Sequence, residues 1–185
     1  LLCFLEGWRK QIAICFASYL LVREYGTPLT TVLTLHAVVQ LIGTLSSAAV
    51  GRLIDRIGER RVLVFYFASL TCFFVGYALI GIPWILYLLF IADSSFFVLG
   101  MALNTYVNRL VPDAERTPTL SMGVAMNHAA AVTMPLVGGA LWVTLGHQWT
   151  FLAGALAAGL SVIVALRVPR HGGAPAAGVA GTAAA

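Results

Sequence analysis

Polar positions along this chain gather into short clusters, and the stretches between them are continuous apolar runs of about twenty residues. The first run covers Leu1 to about Val22 and is interrupted by Glu6, Arg9, Lys10 and Gln11. A polar turn, Arg23-Glu24-Tyr25-Gly26, precedes a second run from Pro28 to Val50, with Pro28 placed as at a helix start. A basic stretch, Gly51 to Arg61, leads to a third run over about Val62 to Ile82. Gly81-Ile82-Pro83 is a tight turn, and the fourth run extends from Pro83 to about Leu103. After the polar stretch Asn104–Pro118 come the fifth run, Thr119–Leu145, the turn Gly146-His147-Gln148 and the sixth, Trp149–Leu166. Continuous runs of this length suit helices that cross a bilayer, whereas barrel strands alternate apolar and polar residues. The pattern predicts an all-α membrane protein with six transmembrane helices over residues 1–168. The Gly/Ala-rich stretch 169–185 is expected to be a disordered tail.

Composition supports lipid as the surrounding solvent. Of 185 residues 60% are hydrophobic and 10% charged, against about 25% charged in soluble domains. The net charge of +4 does not indicate nucleic acid, because the basic residues sit in gaps between apolar runs rather than on one polar face. They report topology instead. Alternate gaps share a side, and one side collects Arg52, Arg56, Arg60, Arg61, Arg109, Arg116, Arg167 and Arg170, leaving the other Arg23 alone. The expectation is an inner (plasma) membrane protein with its first helix starting, and its C-terminus ending, in the cytoplasm. Trp84, Tyr87, Trp142 and Trp149 fall near the outer ends, as an aromatic belt does. Cys3, Cys15 and Cys72 lie inside apolar runs with no metal-like spacing. No initiator Met and no basic leader precede the first run, so the stretch reads as part of a longer chain.

The basic stretch carries a specific pattern: Gly51-Arg52-Leu53-Ile54-Asp55-Arg56-Ile57-Gly58-Glu59-Arg60-Arg61. It resembles the G-x-x-x-D-R-x-G-x-R-R signature of the major facilitator superfamily, which lies between the second and third helices of each six-helix half. Every signature position is matched, by Gly51, Asp55, Arg56, Gly58, Arg60 and Arg61. Looser likenesses to later helices of bacterial members are Gly7-Trp8-Arg9-Lys10-Gln11-Ile12, Met122-Gly123 through Asn127-His128, and Pro135 with Gly138-Gly139. The resemblance covers roughly Leu1 to Leu166 and implies half of a twelve-helix bundle, here the C-terminal half. It also implies a loop that latches the halves on the cytoplasmic side during alternating access. From the residues alone, Gly51 allows close helix approach, Gly58 a tight turn, and Asp55 a cap or an arginine pair; a plain topology signal is the alternative.

Ionisable groups at membrane depth are costly and tend to mark a transport route. Asp93 falls about 15 Å into the fourth helix at 1.5 Å per residue, near the middle of a ~30 Å core. It can exchange a proton, pair with a cationic solute or arginine, or simply hydrogen-bond between helices. Glu6, Arg9 and Lys10 share a helical face by their spacing of three and four. They suit an anionic solute group or a carboxylate such as Asp93, with snorkelling to headgroups as the alternative. His36, Gln40, Thr44 and Ser47 form a polar stripe that either lines a cavity or joins helices by hydrogen bonds. Asn127 and His128, in the fifth helix, are further candidates, with helix packing as their plainer role.

These readings lead to a secondary transporter, proton-coupled, that moves a small solute. Its expected partners are that solute, protons, the bilayer, and a missing N-terminal six-helix half or a second copy. No cofactor, metal site or nucleic-acid partner is expected, and no enzyme signature is present: G-x-S-x-G, H-E-x-x-H and the P-loop are all missing. The alternatives are a non-transporting receptor or assembly scaffold, and an intramembrane enzyme using Asp93 and His128.

Overall fold

The computed structural model describes residues 2–167, without the side chains of residues 108–110 and 113. The expected disordered tail and Arg170 lie outside the described residues. Six helical rods follow one another, joined by connections of one to five residues. The first, 2–23, is α-helical over Leu2–Gln11, widens to a π-helix over Ile12–Ala17 and closes as α-helix Ser18–Arg23. The second is Leu29–Ile57 and the third Glu59–Leu79. The fourth, 83–110, has a tighter 3₁₀ stretch, Phe97–Gly100, between Pro83–Phe96 and Met101–Leu110. The fifth is Asp113–Leu145 and the sixth His147–Leu166.

Prolines open these rods and glycines close them. Pro83 stands at the first helical position, and Pro28 and Pro112 directly precede theirs, where a missing N–H costs nothing. Gly58 (φ +84°) and Gly146 (φ +95°) are each the single residue between two helices. Side chains rarely adopt that left-handed backbone, so glycine is what permits so short a turn. The connections are therefore far shorter than expected. The basic stretch Gly51–Arg61 is helical except at Gly58, and Asn104–Pro118 is helical except at Val111 and Pro112. Charged residues lengthen the rods past the bilayer rather than ending them: the 29-residue second helix is about 44 Å long, well beyond a ~30 Å core.

Among the described residues five helices are long and apolar enough to cross a membrane: Leu29–Ile57, Glu59–Leu79, Pro83–Val107, Ala114–Leu145 and His147–Leu166. The first rod is divided by its π stretch and carries four charged residues, but its 22 residues reach about 33 Å and complete a six-span unit. The chain is a multi-pass membrane protein.

The third and sixth rods pack along each other, the first lies against the fifth and sixth, and the second against the fourth. Glycine makes the closest crossings possible. A Cβ at Gly154 would stand 2.9 Å from Phe74 Cδ1 and 3.1 Å from Ile12 Cδ1, and one at Gly7 would stand 3.0 Å from Asn127 Cα. Two apolar clusters result. Toward one end of the rods Ile12, Phe16, Leu20, Phe74, Tyr77, Leu86, Phe90 and Phe151 come together; toward the other Ile54, Leu63, Phe67, Leu70, Leu99 and Leu103 do. Of the four aromatic residues expected to form a belt, Trp84 and Trp149 are exposed and Tyr87 and Trp142 pack on the first of these clusters.

A buried polar layer between two apolar clusters

Between the two clusters the first, third and fourth rods contribute a layer of polar side chains. Arg9 is its centre. The residue is completely buried, and one terminal nitrogen, Nη2, donates to the Tyr66 hydroxyl at 2.8 Å. Its guanidinium carbon lies 5.3 Å from the Tyr66 ring centroid and 5.2 Å from that of Phe97. A guanidinium cannot shed its proton, so a permanent cation is clamped between two rings, where cation–π attraction strengthens as water is removed.

The 3₁₀ stretch of the fourth rod shapes the other wall. Residues three apart eclipse one another in a 3₁₀ helix, which puts Gly100 in line with Phe97. A Cβ at Gly100 would fall 2.7 Å from Glu6 Oε1 and 3.3 Å from the Tyr66 hydroxyl oxygen. Glycine thus leaves the room that Glu6 occupies, and the Glu6 carboxylate faces the Tyr66 hydroxyl. Glu6 also feels the charges of both Arg9 and Lys10, as the helical spacing predicts. The two cations nevertheless part: Arg9 turns into the layer, while Lys10 stays half-buried.

Asp93 is the remaining charge. It is 1% exposed, and neither carboxylate oxygen has a hydrogen-bond partner. Arg9 is the charged group acting on it, yet Nε and Nη1 of Arg9 are also buried without hydrogen bonds. The Tyr77 hydroxyl, which senses Asp93, is in the same condition. Buried polar atoms are nearly always satisfied, and an unmatched buried ion is among the costliest features a fold can carry. The layer therefore holds several donors and acceptors ready for a proton, a water or a solute.

Other candidate residues are placed differently. His36, Gln40 and Thr44 are exposed along the second rod, one of the two least buried. His36 meets Ser18 Oγ at 3.1 Å and the edge of the Phe90 ring. Thr44 donates to the Gln40 carbonyl and Ser47 to the Thr44 carbonyl, so these hydroxyls join no second helix. Asn127 packs against Gly7. His128 is exposed on the fifth rod and is not among the groups acting on Asp93. A cavity of ≈ 330 Å³, lined by Cys15, Phe16, Tyr19, Pro135, Gly139, Trp142 and Val143, lies apart from the layer and has no charged lining.

In the signature segment Gly58 makes the expected turn, with its N–H bonded to the Ile54 carbonyl at 2.9 Å. Gly51 brings no second helix close, for nothing lies within 4 Å of its Cβ position. Asp55, Arg56 and Arg61 are exposed at the helix ends. Arg60 reaches across to donate to the Leu166 carbonyl at the end of the sixth helix, where a cation also complements the helix dipole.

The signature sits where a one-residue turn joins two membrane-length helices, and a family model described as Major Facilitator Superfamily matches residues 1–184. The chain belongs to the major facilitator superfamily. As a member of that family it is a membrane transporter protein with an all-α fold. No curated protein and no solved structure matches it. Within this facilitator unit, sequence reasoning reached Glu6, Arg9 and Asp93 but not Tyr66, Tyr77, Phe97 or Gly100. Aromatic residues and glycines inside apolar runs carry no signal that separates site wall from packing.

Proposed function

We propose that this chain is the C-terminal six-helix half of a proton-coupled secondary transporter. It moves a small solute by alternating access, together with an N-terminal six-helix half or a second copy. In this reading the unit lies in the inner membrane, its arginine-rich helix ends and its C-terminus in the cytoplasm. The observation that carries the proposal is Asp93, a buried carboxylate at mid-membrane depth with no hydrogen bond, facing a buried arginine. A carboxylate so placed gains or loses a proton with a large change in its interaction with Arg9, and that links protonation to structure. Related bundles rock about a midplane site of this kind.

The test is transport in proteoliposomes that hold a pH-sensitive dye, with a panel of small solutes as drivers. Asp93→Asn is expected to abolish solute-driven proton movement while leaving solute exchange at equal pH. Proton movement that survives the substitution would sink the proton role. A protein whose every measurable activity ignores Asp93→Asn would instead favour a receptor or scaffold.

A further inference from the structure

Two carboxylates, Glu6 and Asp93, act on one buried guanidinium; half-buried Glu6 has Lys10 as a second cation, whereas buried Asp93 has Arg9 alone. A buried carboxylate whose cation is engaged elsewhere is strongly disfavoured as an ion, so Asp93 is neutral while Arg9 is held away from it. Arg9 is committed in this structure to the Glu6 side: its hydrogen bond goes to Tyr66, whose hydroxyl faces Glu6. Its other two nitrogens are idle, as are both oxygens of Asp93. The titratable and charged groups around this arrangement are Cys3, Glu6, Arg9 and Lys10 on the first rod, Tyr66 and Tyr77 on the third, and Asp93 on the fourth. Of these, Tyr66 alone is hydrogen-bonded to Arg9 and also senses both carboxylates.

We infer that Tyr66 is a positioning residue that holds Arg9 toward Glu6, and that Glu6 is a second proton-accepting carboxylate of the same coupling site. This rests on the reading that Asp93 exchanges a proton. In the state seen here Arg9 belongs to Tyr66 and Glu6, Glu6 is charged and Asp93 holds the proton. In the alternate state Arg9 turns its idle nitrogens to a charged Asp93, and the proton has passed from Asp93 to Glu6. One O–H bond breaks, one forms, and the charge of the layer is unchanged. Glu6 lies beside Gly100, seven residues beyond Asp93 along the fourth rod, so the transfer carries the proton toward the rod ends that hold the arginines. Gly100 belongs to the device, because a side chain there would push Glu6 from Tyr66.

The decisive variant is Tyr66→Phe. It keeps both charges and the ring over Arg9 but removes the hydroxyl. The full chain in lipid nanodiscs is followed by infrared spectroscopy of the carboxylic-acid stretch, with Asp93→Asn and Glu6→Gln identifying each band. Wild type is expected to show an acid band that Asp93→Asn removes. In Tyr66→Phe that band should fall several-fold at neutral pH as Arg9 swings to Asp93, and a Glu6 band should rise. An Asp93 band unchanged in Tyr66→Phe, in a protein that keeps its helical circular dichroism, overturns the Tyr66 and Glu6 assignment while leaving proton exchange at Asp93 intact. Wild type with no Asp93 acid band at any pH overturns both.

Discussion

Replacing Arg9 by Met tests whether the polar layer is a coupled unit or a set of separate contacts. Methionine keeps an unbranched stem of similar reach, so the packing loss is small. What disappears is one hydrogen bond from a charged donor, ~1.5–3 kcal/mol, and two ring contacts at 5.3 and 5.2 Å, ~0.5–2 kcal/mol each when desolvated. Relief from holding a buried cation offsets part of this, while the Glu6 carboxylate left beside Gly100 adds to it. The net expectation is a loss of about 3 kcal/mol, at the lower end for breaking a buried charge arrangement from one side. For a chain of this length that is roughly 6–12 °C in melting temperature, measured by circular dichroism in detergent micelles. The double variant Arg9→Met, Glu6→Gln should recover ~1 kcal/mol or more of that loss, because the stranded charge has gone. Losses that simply add, within ~0.5 kcal/mol, would refute the reasoning that Glu6 and Arg9 depend on each other.

Two further expectations concern packing and exposure. Gly154→Ala drives a methyl group to within 2.9 Å of a Phe74 ring that is itself packed against Phe151 and Tyr77, so it should cost ~1–3 kcal/mol. Gly159→Ala, on the same helix with nothing within 4 Å, should be neutral or gain up to ~1 kcal/mol from helix propensity; melting temperatures in the opposite order would contradict the crossing described. In a background with Cys3, Cys15 and Cys72 replaced by Ala, Gln40→Cys should react with a water-soluble maleimide faster than Leu156→Cys. Equal, slow labelling would mean that the polar stripe of the second rod faces lipid.

How much of this was legible from sequence follows from what each feature depends on. The helices were, because a backbone in lipid must bond to itself along every apolar run. Their ends were not. Arg52, Asp55, Arg56, Arg60 and Arg61 look like a loop by polarity, yet at the membrane face a charge can continue a helix into water, and only Gly58 forces the break. Asp93 stood out because charge inside an apolar run is rare, and Glu6 with Arg9 because spacing put them on one face. Lys10 has the same spacing and charge as Arg9 but turns elsewhere, which depends on the third and fourth rods. Tyr66, Phe97 and Gly100 owe their roles to contacts between residues 57 to 94 positions apart, and composition does not report such contacts. The π and 3₁₀ stretches, which adjoin Arg9 and carry Phe97 and Gly100, were likewise invisible.

Joints one residue long at Gly58 and Gly146, and two long at Val111 and Pro112, set the mechanical character of the unit. One residue adds at most about 3.6 Å of reach, less than one helical turn of ~5.4 Å, so joined rods cannot slip past each other by a turn without unwinding. Arg60, tied to the end of the sixth helix, removes slack from the same face. Movements about these joints are restricted to side chains and to local rewinding where the first and fourth rods already depart from α-helix, while the longer connections 24–28 and 80–82 leave slack elsewhere. Larger displacements fall to the seam with whatever lies against the exposed second and fifth rods, so the unit behaves as a stiff lever whose working parts lie within it and whose hinge lies at its border.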